Sequence, residues 1–142
     1  MMSKETGAAA GTESPVMEEG LVGLSTTFAV QENALLLMTA DRLGRGDDDL
    51  GRVLVKSFLY TLSQADMIPK TVIFLNSGVK LACEGSETLQ SLLALQERGA
   101  EILSCGTCLD FFRLKDKLVA GKVSNMYAIV DMLNRSSHVV TL

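Results

Sequence analysis

Tryptophan is absent from this 142-residue chain, histidine occurs once, and aromatics make up only 5%. Few side chains are therefore available to stack on bases. A formal charge of −4 and a pI near 5.0 run against the clustered basic face that nucleic acid demands, so none is expected as a partner. Long hydrophobic runs are also missing. The densest, residues 34–38, falls far short of the roughly 18 residues of a membrane span, which excludes a membrane partner of that kind. The first twenty residues hold no apolar signal core, and the expected compartment is the cytoplasm. Three cysteines in a reducing compartment do not make a disulfide framework; they are either reactive or simply buried.

What the chain does have is apolar content: 47% hydrophobic residues and a mean hydropathy of +0.25. Buried parallel strands account for part of that excess, and an oligomeric surface for more. Residues 1–33 divide from the rest. The first twenty are rich in Ala, Gly, Ser, Thr and Glu without a period and read as a disordered tail or linker. Val22, Leu24, Phe28 and Val30 suit an extended arm. The domain proper is expected over residues 34–142.

Within it, residues 34–39 (ALLLMT), 71–76 (TVIFLN) and 100–104 (AEILS) are short apolar runs that suit strands covered on both faces, and HVVTL at 138–142 a further strand. Between them lie helical patterns. Leu50, Val53, Leu54, Phe58, Thr61, Leu62 and Ala65 predict a helix over 48–64, capped by Asp47 or Asp48. Pro69 is expected to enforce a break ahead of the second strand. Asn76-Ser77-Gly78 reads as a turn, and 79–83 as either a strand stub or irregular chain. Ser86 suits an N-cap for a helix carrying Leu89, Leu92, Leu93 and Leu95 that Gly99 closes. A helix, single or split, is expected over 109–118. Ser124 or Asn125 caps a last helix with Met126, Ile129, Val130 and Leu133 on one face. Strands alternating with helices in this way imply a mostly parallel sheet in a three-layer α/β/α sandwich, with the functional crevice beyond the carboxyl ends of the strands.

Chemistry concentrates at Cys105-Gly106-Thr107-Cys108, where a buried strand stops and a helix begins. A sulfur there is expected near unpaired N–H groups of the first helical turn, which favour the nucleophilic thiolate. Cys105, nearest the strand end, is the expected reactive thiol, and Cys108, one turn along the helix, could act as a resolving thiol. Other readings of the same residues are weaker. A thioredoxin-like dithiol site would have a preceding Trp and a later Pro, yet the only prolines are Pro15 and Pro69. A zinc site would have to recruit Cys83 and His138, with no second CxxC knuckle to support it, and no metal or cofactor is expected. Cys83 suits packing and His138 the surface. The segment 42–52 (RLGRGDDDLGR) lacks the third Gly of GxGxxG and any following GK[ST], so it reads as a loop leading into a helix cap rather than a phosphate cradle. Arg42 and Arg45 remain as cations able to face a thiolate across the crevice.

Several motifs in order, ADRLGRGDDDLG, FLNSGVKLACEGS, ILSCGTCLDFF and GKVSNMYAIVDML…HVVTL, give the chain from Leu35 to Leu142 a resemblance to the DsrE/DsrF-like sulfurtransferases. It is most similar there to the YedF proteins associated with selenium metabolism. The resemblance implies a five-stranded parallel sheet, a trimeric or hexameric homo-oligomer, and a cysteine persulfide carried at the position of Cys105. It also implies a protein donor or acceptor of sulfur or selenium, such as a TusA-like carrier. Two alternatives stand beside that reading: a non-catalytic oligomeric binding or scaffold subunit, and a CxxC dithiol oxidoreductase.

Overall fold

The three apolar runs read as strands lie side by side at the centre of one parallel sheet. The computed structural model describes residues 29–142. Its strands are β1 (Ala29–Met38), β2 (Met67–Phe74), β3 (Glu101–Cys105), β4 (Lys122–Ser124) and β5 (His138–Thr141), in spatial order β4-β3-β2-β1-β5 and all parallel. The connections hold α1 (Asp48–Gln64), α2 (Leu89–Glu97), α3 (Gly106–Phe111) and α4 (Met126–Arg135), plus 3-10 segments at Asn76–Ala82 and Lys115–Lys117. The expected α/β/α sandwich is the observed fold. Val22, Leu24 and Phe28 lie outside the described residues.

Strand alternation sends successive side chains to opposite faces. Leu36, Met38, Val72, Phe74 and Ile102 meet Val55 and Leu59 of α1 and Leu92 and Leu95 of α2. Leu35, Ile73, Leu103 and Cys105 meet Ile129 of α4, with Met132 and Leu133 beside it. One face of the sheet thus has α1 and α2 over it, and the other has α4.

Several boundaries differ from the sequence reading, each for a local reason. β1 begins at Ala29 rather than 34, because its first part pairs with Met67–Pro69 before a register shift between Gln31 and Leu35. Pro69 does not break the chain; it sits inside β2. Pairing with β3 starts only at Thr71, so the strand has an open side there that tolerates a missing N–H. Ser86 is not the helix cap. Its hydroxyl accepts the Thr88 N–H at 3.1 Å, and Thr88 Oγ1 donates to the Leu81 carbonyl at 2.9 Å, fixing the turn ahead of α2. At the other end of α2, Gly99 N–H bonds Gln96 O and Ala100 N–H bonds Leu95 O, both at 3.0 Å, the paired bonds of a Schellman closure. The helix expected over 109–118 is split, and starts earlier, at Gly106.

The core line of α1 is Gly51, Val55, Leu59 and Ser63, one step off the expected face, and Leu50, Val53 and Leu54 are exposed. The two small residues on that line allow close approach but hide it from an apolar pattern. A Cβ on Gly51 would stand 2.9 Å from Arg42 Cβ. On α4, Ile129 is buried while Met126 and Val130 face outward. Caps behave as expected: Asp47 accepts Leu50 N–H at 2.8 Å, and Asn125 accepts Ala128 N–H at 2.9 Å. β4 is short enough, three residues after Gly121, to have left no pattern of its own.

Gly121 turns the chain into β4 at φ +76, and a Cβ on it would stand 2.2 Å from the Ile102 carbonyl oxygen. Gly44 has a similar φ of +86 but nothing within 4 Å. Urea denaturation of Gly121→Ala is therefore expected to show a loss above about 2 kcal/mol, from clash added to backbone strain. Gly44→Ala should lose only the roughly 1 kcal/mol of a left-handed backbone. Equal losses would contradict the packing described for the β3–β4 pair.

Candidate active site at the carboxyl edge of β2 and β3

Phe74 pairs with Ser104 in register, so the chain leaving β2 and the chain leaving β3 emerge side by side at one edge of the sheet. After β2 the backbone kinks at Asn76, whose φ is +52. Asparagine tolerates that conformation because its short amide side chain bonds locally: Oδ1 accepts Ser77 N–H at 2.8 Å. The loop is held down on its far side, where a Cβ on Gly78 would lie 2.5 Å from the Met38 carbonyl oxygen. Asp41 N–H donates to Ser77 Oγ at 3.2 Å and draws the β1–α1 loop to the same edge. Held this way, the Asn76 N–H donates to Cys108 Sγ at 3.1 Å.

Cys105 and Cys108 occupy different environments. Cys105 is the last residue of β3, and strand alternation turns it inward, 2% exposed, among Leu35, Ile73, Leu103 and Ile129. Although it precedes α3, its side chain makes no capping bond to that helix. The expectation that first-turn amides hold the Cys105 sulfur is thus corrected. The amide-bonded sulfur is that of Cys108, and the donor belongs to a neighbouring loop. Cys108 is half-buried and packs against both hydrophobic clusters, at the seam where the two layers meet. Burial pushes its thiol above the ordinary 9.0, the Asn76 N–H pulls it partly back, and the neighbouring Cys105 thiol raises it further.

Of the cations expected to assist, Arg42 is paired with carboxylates and Arg45 is exposed. Arg42 bridges Asp41 at 3.0 Å and Asp48 at 2.8 Å. That pairing raises the guanidinium and lowers the Asp48 carboxyl below its ordinary range. Arg42 therefore fastens the loop to the start of α1 rather than facing a thiol, and Arg45 is exposed within the loop. Cys83 is buried, donates to the Val79 carbonyl at 3.2 Å, and has its thiol pushed up by burial. His138 is exposed and stands level with the start of β3, since Ala34 pairs with His138, Leu35 with Thr71, and Thr71 with Glu101. It is not brought to the cysteines. Among the described residues no group of three or more His, Cys, Asp or Glu is placed to hold a metal ion.

Beside the CGTC turn a cleft of about 360 Å³ opens, with Gly106, Thr107, Asp110 and Lys115 on one wall and Val123, Ser124 and Asn125 on the other. The sequence reading missed Asn76 as a site residue and missed this second wall. The first had a signal, since an Asn-Ser-Gly turn directly after a buried strand suits a left-handed kink. The second depends on β4, which had none.

A family model described as DsrE/DsrF-like matches residues 57–142. No curated protein matches the chain. Among solved structures, the chain is similar to the ychN protein from E. coli at 12% identity and a TM-score of 0.55, covering 79% of this chain and 100% of that one. It is also similar to MTH1491 from Methanobacterium thermoautotrophicum, a protein of unknown function, at 17% identity and a TM-score of 0.57, with coverage of 79% and 100%. BT1422 from Bacteroides thetaiotaomicron, likewise of unknown function, matches at 13% identity and 0.55, covering 78% and 95%. At these identities the three likenesses concern the fold. Among the described residues no helix is long and apolar enough to cross a membrane. With the family model spanning more than half its length, the chain belongs to the DsrE/DsrF-like family.

Proposed function

We propose that this protein is a carrier of sulfane sulfur, or of selenium given its resemblance to the YedF proteins associated with selenium metabolism, and that the Cys105–Cys108 pair is where the atom is held. The observation that carries the proposal is the 3.1 Å bond from Asn76 N–H to Cys108 Sγ at the open edge of the sheet, with a second thiol in the cluster that Cys108 packs against. A half-buried sulfur with a backbone donor suits an atom whose charge changes during exchange. Cys108 is the entry thiol in this reading. Its sulfur attacks the terminal sulfur of a donor persulfide, R–S–SH; the donor leaves as R–SH, and Cys108–S–SH remains. Cys105, the acceptor implied by the family resemblance, is too enclosed to meet a donor first.

The raised thiol does not forbid this chemistry. Exchange rates depend on thiolate fraction and on intrinsic nucleophilicity, which rises with pKa. The donor and acceptor are taken to be proteins, with a TusA-like carrier as one form. Phe111 and Tyr127, 80% and 87% exposed on α3 and α4, support a protein surface of this kind, whether a partner or a second copy of the chain.

Intact mass after incubation with a persulfide donor tests the reading. Wild type is expected to gain about 32 Da, one sulfur atom, and Cys108→Ser to lose that gain. A wild type that takes up no sulfur, or a double Cys105→Ser/Cys108→Ser variant that still takes it up on the third cysteine, would overturn the assignment. Alkylation provides a second measurement. Because burial raises Cys108, iodoacetamide should modify it more slowly at pH 7 than it modifies a small free thiol. The rate should keep climbing as the pH passes 9.0, where a free thiol begins to level off. Cys105 should react only on unfolding.

A further inference from the structure

We infer that Cys105 is the resolving nucleophile of this site: it attacks the sulfur-loaded Cys108, expels the carried atom as hydrogen sulfide and closes a Cys105–Cys108 disulfide. The inference rests on the carrier reading above and concerns what happens to the atom after it has been loaded.

Three observations support it. Cys108 packs against the hydrophobic cluster that contains Cys105, three residues away across the strand-to-helix turn, so the two thiols are neighbours in one packed layer. They differ sharply in access, Cys105 being 2% exposed and Cys108 half-buried. An outside persulfide or thiol therefore meets Cys108, and among the described residues Cys108 is the cysteine packed against the cluster of Cys105. Finally, Leu35, Ile73, Leu103 and Ile129 close over Cys105 and keep outside reagents from it.

A persulfide offers two sulfurs. Attack on the outer one only moves the carried atom to the attacker. Attack on the inner one, the cysteine's own Sγ, expels the outer atom. Because Cys105 is buried and the carried atom needs the exposed side of Cys108, the inner sulfur is the one this arrangement would present to Cys105. The balanced step is Cys105–SH plus Cys108–S–SH giving Cys105–S–S–Cys108 plus one molecule of hydrogen sulfide. The new S–S bond joins the two cysteines, the old one breaks, and the thiol proton leaves with the sulfide. The carried sulfur is reduced by two electrons and the cysteine pair is oxidised by two. A thiol or dithiol reductant must then reopen the disulfide. The protein thus stands between a reaction that generates persulfides and one that reduces protein disulfides, and it delivers its cargo as free sulfide whenever no acceptor thiol takes it first.

Wild-type protein loaded with glutathione persulfide, desalted and kept free of thiols should lose the added mass of about 32 Da with time. In step with that loss it should release one equivalent of sulfide and become about 2 Da lighter than the unloaded protein, as a disulfide does. Cys105→Ser should still load on Cys108, but with sulfide release slowed at least about ten-fold and no lighter species formed. Cys105→Ala, which suits the apolar surroundings, should behave as Cys105→Ser does and guards against a folding artefact. Release at the wild-type rate from both variants, or wild type that loses its sulfur without forming the disulfide, overturns the inference while leaving the carrier reading intact. A wild type that never loads removes both.

Discussion

The parallel register between β2 and β3 is the constraint on which the rest depends. Phe74 opposite Ser104 means that two residues beyond β2 and four beyond Ser104 meet in space, as Asn76 and Cys108. A slip of one residue would turn each side chain to the other face of the sheet, moving Cys105 from one hydrophobic cluster to the other and carrying the CGTC turn away from its amide donor. The register is secured by burial. Val72, Ile73 and Phe74 are all fully buried between the two layers, so neither face of β2 can be exchanged for the other without exposing hydrocarbon.

The two faces of the sheet also explain why cysteines three residues apart fare so differently. Cys105 still obeys the period of its strand and is sent to the α4 face, where apolar neighbours close over it. Cys108 obeys the period of a helix and lands on the seam, packed against both clusters yet open at the edge. A CxxC spacing read as helix alone would place both thiols on one helical face with similar access. Placing the strand-to-helix change between them makes the inner thiol inaccessible without separating it from the outer one.

That distinction shows what was legible in the sequence. The apolar runs of β1, β2 and β3 and the bounds of α1 followed from composition and period, because burial on both faces leaves an unbroken hydrophobic signal. The caps at Asp47 and Asn125 followed from residue type. The site was legible as a place and not as an arrangement. The ends of the strands locate CGTC at the correct edge, but the helix N-terminus behind Cys105 points to an accessible thiol, whereas the alternation of the strand that ends there turns it inward. Asn76 escaped for a different reason. Its contribution is a backbone N–H, and a backbone donor carries no residue signature beyond a tolerance of φ +52. The phase of α1 was hidden because Gly51 and Ser63 occupy core positions, while Leu50, Val53 and Leu54 face outward.

The charges near the site are committed to holding the scaffold together. Arg42 is held between Asp41 and Asp48, and Asp47 caps α1, so the acidic loop fixes the start of a helix whose core line tolerates close approach at Gly51. Arg42 is thereby committed to the loop, and Cys108 relies on one neutral N–H against burial and a neighbouring thiol. A site organised to generate a highly ionised nucleophile would set positive charge beside the sulfur. This one sets a second sulfur there instead. Under the proposed carrier role, this arrangement suits a group that takes up an atom at the edge of the sheet and has a second thiol in the cluster it packs against when the atom leaves.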